Sequence, residues 1–255
     1  MEAARTTFES LSSEQLIGSS LPRIPFDTTE VRWFAAGPMP RRLVNWFTSA
    51  GRWGSLEVRD DSYLVGAAPS VGRKRRNRGT FEIKTCLARG PVVCLDSRLS
   101  GRTEQWRKVI GTPPGPGATA HKWTDVHKVI LTRTYHFSAP DRVVEVTPGN
   151  LTVPGCDIEL AAVSVAGVEV WTFALEAWGG PDQRLGLLEK SAAAFVAAAG
   201  LPESVITPLG VDMSYPAWLN RTVPQDPTSS TTQMAGTQMA GRDVPRHPDH
   251  APGSA

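Results

Sequence analysis

The stretch GCDIELAAVSVAGVEVWTFALEAWG, Gly155–Gly179, contains two alternating runs joined at Ala166-Gly167. Successive strand side chains point to opposite faces. Asp157 and Glu159 therefore share one face of the first run, and Thr172, Ala174 and Glu176 share one face of the second. A short break ending in glycine between two such runs predicts a tight hairpin, and hence an antiparallel pair.

Similar runs rich in β-branched and aromatic residues lie upstream at Thr29–Phe34, Leu56–Val65, Thr80–Ala88, Val126–Phe137 and Val143–Val146. Gly111–Gly117 (GTPPGPG) reads as a loop. The chain lacks the strand–helix–strand rhythm of a parallel sheet, so its middle reads as an antiparallel sheet or barrel. Helices are predicted at Pro40–Ala50, where Leu43, Trp46 and Phe47 share a face, and at Arg184–Ala199, with Gly200 as C-cap. A third, short helix after Ser214 would set Tyr215 and Trp218 against the body. The fold class expected is α+β: an antiparallel, tunnel-like β-barrel of about eight strands with helices packed outside.

In 255 residues, 27 Lys+Arg face 25 Asp+Glu, with 40% hydrophobic and 20% charged residues; these values exclude a disordered chain. No apolar run approaches the ~18 residues of a membrane helix, so no membrane partner is expected. Cys86, Cys94 and Cys156 form no CxxC pair, which argues against a disulfide framework or structural zinc and makes the cytoplasm the expected location. Residues 1–26 read as a loosely ordered segment, with a short helix allowed at Leu11–Leu21, and 27–222 as the barrel domain. Residues 223–255, with TQMAG twice in tandem, read as a disordered tail.

Charge follows strand parity. Glu30 and Arg32 share a face, as do Glu57, Arg59, Asp61 and Tyr63, and also Glu82 and Lys84. A sheet with one solvated face alternates in the same way. The predicted helices, however, need an apolar sheet face to cover, which turns the charged faces toward a closed interior. The run Arg73, Lys74, Arg75, Arg76, Arg78 leads directly into Phe81-Glu82-Ile83-Lys84. A strand there would aim alternate members inward, where Arg and Lys hold phosphate oxygens. Lys128 and Arg133 have opposite parity, so both face inward only across a bulge. His121, His127 and His136 are too scattered for a metal triad, and no P-loop, GxGxxG or nucleophile elbow is present.

Taken together, EVRWF (Glu30–Phe34), RDDSYL (Arg59–Leu64), the basic run before FEIK (Phe81–Lys84), GCDIEL and WTFALEAWG resemble the CYTH-like superfamily, the triphosphate tunnel metalloenzymes, over approximately Asp27–Gly180. The resemblance implies a barrel of about eight strands whose tunnel binds a small-molecule triphosphate or polyphosphate. It implies Mg²⁺ or Mn²⁺ held by Glu30, Glu159 and Glu176, and Glu82 and Glu176 as catalytic, water-orienting groups. The implied phosphate ligands are Arg32, Arg59, Arg73, Arg75, Lys84, Lys128 and Arg133. The family's ExExK signature reads Thr28-x-Glu30-x-Arg32 here, so one carboxylate is replaced. Metal-assisted triphosphate hydrolysis is the first expectation. A non-catalytic phosphate-ligand barrel is the second. The third is RNA binding through Arg73–Arg78, although the near-neutral charge gives nucleic acid no advantage as a partner.

Overall fold

The computed structural model describes residues 25–49, 54–66, 68–76, 79–111, 123–149, 151–210 and 212–223. The expected N-terminal segment before Pro25, residues 112–117 of the expected loop, Arg78, His121 and the tail from Pro224 lie outside the described residues. Among these described residues nine strands run in chain order: β1 Phe26–Ala36, β2 Ser55–Leu64, β3 Val71–Arg76, β4 Thr80–Asp96, β5 Leu99–Gly111, β6 Trp123–Ala139, β7 Arg142–Val146, β8 Gly155–Val165 and β9 Val168–Trp178. Four helices accompany them among the described residues: α1 Arg41–Ser49, α2 Pro181–Ala199, α3 Glu203–Ile206 and α4 Tyr215–Thr222.

Hydrogen bonding runs β2-β3-β4-β5-β1-β9-β8-β6, and β2 pairs again with β6. The sheet thus closes into an eight-stranded antiparallel barrel, with β7 added to the far half of β6. Closure removes the edges that would otherwise template aggregation.

The β8–β9 hairpin forms as its alternation requires, from Gly155↔Trp178 to Val165↔Val168. Ala166 and Gly167 both take positive φ, 49° and 79°, the conformation of a two-residue turn matched to strand twist. The outer faces of β1, β8 and β9 carry Trp33, Ile158, Leu160, Phe173 and Leu175. α1 and α2 cover these with Leu43, Phe47, Leu187, Leu188 and Phe195, all fully buried. Each such side chain contributes roughly 1.5–3 kcal/mol through burial. Trp46 joins the two helices, lying edge-on to Phe195 and donating from Nε1 to Ala199 O at 3.0 Å. α2 starts a turn earlier than expected, on Pro181, and ends at Gly200 (φ 65°).

α4 differs from the other helices. Trp218, Leu219 and Val223 pack on Phe34, Val126, Ile130, Val163 and Val170, which belong to the inner faces of the strands. The helix therefore sits across one end of the barrel. Val223, expected to open the tail, is buried in this packing. No described helix is long and apolar enough to cross a membrane.

Candidate functional site

Strand register decides which charges meet inside. Glu30 lies opposite Glu104 on β5 and Glu176 on β9, and Glu176 lies opposite Asp157 on β8. Four neighbouring strands thus place carboxylates in one row. Each of the three expected metal ligands faces a cation: Glu30 pairs with Lys84, Glu176 with Lys108, and Glu159 with Arg32 Nη2 at 2.8 Å. Thr28, which stands where the resembling family has its first glutamate, is fully buried and donates from Oγ1 to Glu30 at 2.6 Å. Among the described residues, no three His, Cys, Asp or Glu side chains converge as a metal cage. His127 instead pairs with Asp60, and His136 lies edge-on to Trp178.

Deeper toward α4 the balance turns basic. Asp61 is fully buried, with Arg59 Nε and Lys128 Nζ each 3.3 Å away and Lys74 Nζ at 4.0 Å. Lys74 also reaches Glu82 at 3.2 Å, beside Arg76 at 3.4 Å. Lys128 donates to the Tyr63 hydroxyl at 2.7 Å.

This crowding shows in the ionisation of the groups. Burial and the neighbouring Arg76 and Arg59 push the Lys74 ammonium down to about 8, against Glu82 and Asp61. Burial, with Lys74 adding to it, drives Lys128 well below the usual lysine value. Burial would raise Glu82, but Lys74, Lys108 and Arg76 outweigh it and hold the carboxyl at about 2. Glu176 likewise falls well below the carboxylate range, Lys108 and Lys84 overcoming its burial. Asp157 moves the other way: burial, with Glu159 and Glu176 adding to it, raises it to about 7.

The side chains fill much of the space they enclose. A cavity bordered by Glu30, Arg32, Lys84, Trp106 and Tyr215 measures about 30 Å³, room for a water or two.

Eight of the expected site residues therefore gather inside: Glu30, Arg32, Arg59, Glu82, Lys84, Lys128, Glu159 and Glu176. Three do not. Arg73 and Arg75 face outward, because β3 pairs Lys74 with Glu82 and with Tyr63, which aims Lys74 and Arg76 inward. Arg75 lies 4.3 Å over the Trp123 ring instead. Arg133 is also outside: β6 pairs with β8 without a register shift from Lys128 to Arg133, so the bulge that would turn both inward is missing. Arg133 forks onto Glu145 at 2.9 and 2.7 Å, beneath Phe195 of α2.

The site also contains residues that sequence reasoning passes over. Lys74 and Arg76 stand in the same basic run one position along, and parity alone cannot choose between the two sets. Asp61 and Asp157 share faces with expected site residues. Glu104 and Lys108 sit on β5, which shows no alternation of β-branched residues and carries no strand signal.

Fold and site together define a closed antiparallel barrel with an ion-paired interior, acidic in one layer and basic toward the end that α4 covers. No family model matches the chain, and no curated protein matches it.

Proposed function

We propose that the barrel binds a triphosphate-bearing or polyphosphate small molecule in its interior and hydrolyses it with Mg²⁺ or Mn²⁺, as a divergent member of the CYTH-like superfamily. One observation carries the reading: lysines, arginines and carboxylates interleave on the buried inner faces of a closed barrel. Taking charges out of water is expensive, and apolar packing of the same volume is often at least as stable. Such an interior makes sense as an ion exchanger. Phosphate oxygens would take Lys84, Lys108, Lys74, Lys128, Arg32 and Arg59, and the carboxylates those cations release would accept a divalent metal.

The donor set suits a hard cation, since Glu30, Glu159 and Glu176 offer oxygen ligands. These residues would hold the metal, which would neutralise phosphate oxygens and supply a Lewis acid for hydrolysis. The residues themselves would do the rest: the basic layer would orient the chain, and Glu82 and Glu176 would orient the attacking water. Membrane association and nucleic-acid binding have no comparable support inside the barrel.

A specific observation favours binding without turnover as a second reading. Thr28 replaces a carboxylate, and Glu30, Glu159 and Glu176 are each tied to a cation. One assay separates the two. Tripolyphosphate, ATP and thiamine triphosphate are offered with Mg²⁺ or Mn²⁺, and phosphate release is compared among wild type, Glu82→Ala and Glu176→Ala. Metal-dependent release that falls at least about 100-fold in both variants is the expected result, the size typical of losing a positioned acid–base group. Tight binding with no release on any substrate selects the second reading. No binding at all rejects both.

A further inference from the structure

We infer that the interior reads the free end of a phosphate chain, with the Tyr215 hydroxyl meeting the terminal phosphoryl group. This rests on the triphosphate reading above and narrows it to a substrate class.

The end of the barrel covered by α4 is sealed by apolar packing of Trp218, Leu219 and Val223 on the inner strand faces. The segment leading into the helix is part of the wall. Beyond Glu30↔Glu104, β1 and β5 have no further register pairs, and residues beside them bridge to β1 instead: Gly210 N–H donates to Phe34 O at 2.9 Å and Met213 N–H to Arg32 O at 3.0 Å. Asp212 accepts from the Arg102 backbone N–H at 3.0 Å. A ligand therefore does not thread through this end.

Tyr215 stands at the inner tip of the seal. Its ring stacks on Tyr63 with centroids 5.3 Å apart, Lys128 Nζ lies 3.9 Å from its centre, and Arg32 lies at 5.8 Å. Its hydroxyl is buried and has no hydrogen-bond partner among the described residues, although Tyr215 borders the same cavity as Arg32 and Lys84. A buried O–H without an acceptor, bordering a cavity whose wall carries Arg32, Lys84 and Arg102 as well as Glu30, Glu104 and Asp212, can donate to an anionic oxygen held by those cations. The terminal phosphoryl of a chain carries the most such oxygens. A chain substituted at one end would enter with its other end leading and leave the substituent toward the end of the barrel away from α4. A chain substituted at both ends has no end to present.

Isothermal titration of the full chain with Mg²⁺ present tests this, using tripolyphosphate, ATP, and a diadenosine tetraphosphate chosen to match the charge of ATP. Tripolyphosphate and ATP should bind, and the doubly substituted chain should bind at least about tenfold more weakly than ATP, the loss of a hydrogen bond to a charged group. Tyr215→Phe, checked for an unchanged fold by its melting temperature, should lose about tenfold in tripolyphosphate affinity. Equal affinity for ATP and the doubly substituted chain overturns the inference while leaving the triphosphate reading in place, and does so with wild-type protein alone. Unchanged affinity in a folded Tyr215→Phe overturns the role of the hydroxyl. No binding of any of the three overturns the triphosphate reading itself.

Discussion

Asp157 accepts a hydrogen bond from Thr134 Oγ1 at 2.6 Å, yet burial, with Glu159 and Glu176 adding to it, raises its carboxyl to about 7. In the unfolded chain the same group titrates near 3.9. The folded protein therefore holds a proton that the unfolded chain has released, so this stabilisation is full below the unfolded value and is lost as pH rises toward 7. Asp157→Asn imitates the protonated form. Its gain in melting temperature over wild type should be small at pH 4 and grow steadily to pH 8, as followed by circular dichroism; a gain independent of pH would contradict this. Glu82 has the opposite sign. Held at about 2 by Lys74, Lys108 and Arg76 against its burial, it stabilises above the ordinary carboxylate range and loses that contribution as pH falls toward 2. The Lys108–Glu176 pair tests the ion-paired interior directly. Lys108→Met strands a mostly buried carboxylate and should lose about 3 kcal/mol in urea unfolding, while the double variant Lys108→Met/Glu176→Leu should lose clearly less. At this scale the sequence reveals charged faces but cannot choose within the basic run, because four consecutive cations look alike from either parity.

Register, rather than composition, separates the strands. Lys74 opposite Glu82 and Tyr63 turns one half of the basic run inward, and the unbroken β6–β8 ladder sends Arg133 outward to Glu145. β5 escapes a sequence reading because its outward positions Thr103, Gln105, Arg107 and Val109 are mixed in polarity and its inward positions Glu104, Trp106 and Lys108 are charged or amphipathic. No face of it is consistently apolar, so period 2 leaves no trace. The β8–β9 hairpin is the opposite case, legible down to its turn. That turn still carries strain, because Ala166 holds φ at 49° where an L side chain without a polar group is disfavoured by roughly 1–2 kcal/mol. Ala166→Asn should raise stability by about 0.5–1 kcal/mol in urea or thermal unfolding. A loss instead would mean that the methyl group makes contacts worth more than the strain.

At the scale of the whole molecule, the outer apolar faces of β1, β8 and β9 are covered by α1 and α2, and the inner charges pair with one another. The stability of the barrel should therefore respond to whatever exchanges with those inner charges. Tripolyphosphate with Mg²⁺ at 100 times its dissociation constant should raise stability by about 2.7 kcal/mol, read as an upward shift in melting temperature. Magnesium chloride or sodium chloride at matched ionic strength should not reproduce the shift, and added salt should shrink it less than it would for an exposed patch, because buried charges are screened less. A shift equally produced by inert salt would place the effect on the surface. Alternation, turn residues and helix stripes depend only on neighbours along the chain, and so most of the antiparallel strands, though not β5, the three main helices and the charged faces are legible in the amino-acid sequence. Which half of the basic run points inward, that Arg133 does not, and that α4 seals one end depend on residues far apart in the chain. Those outcomes were decided by barrel closure and strand register, because a one-residue shift in pairing exchanges inside for outside while leaving every local pattern unchanged.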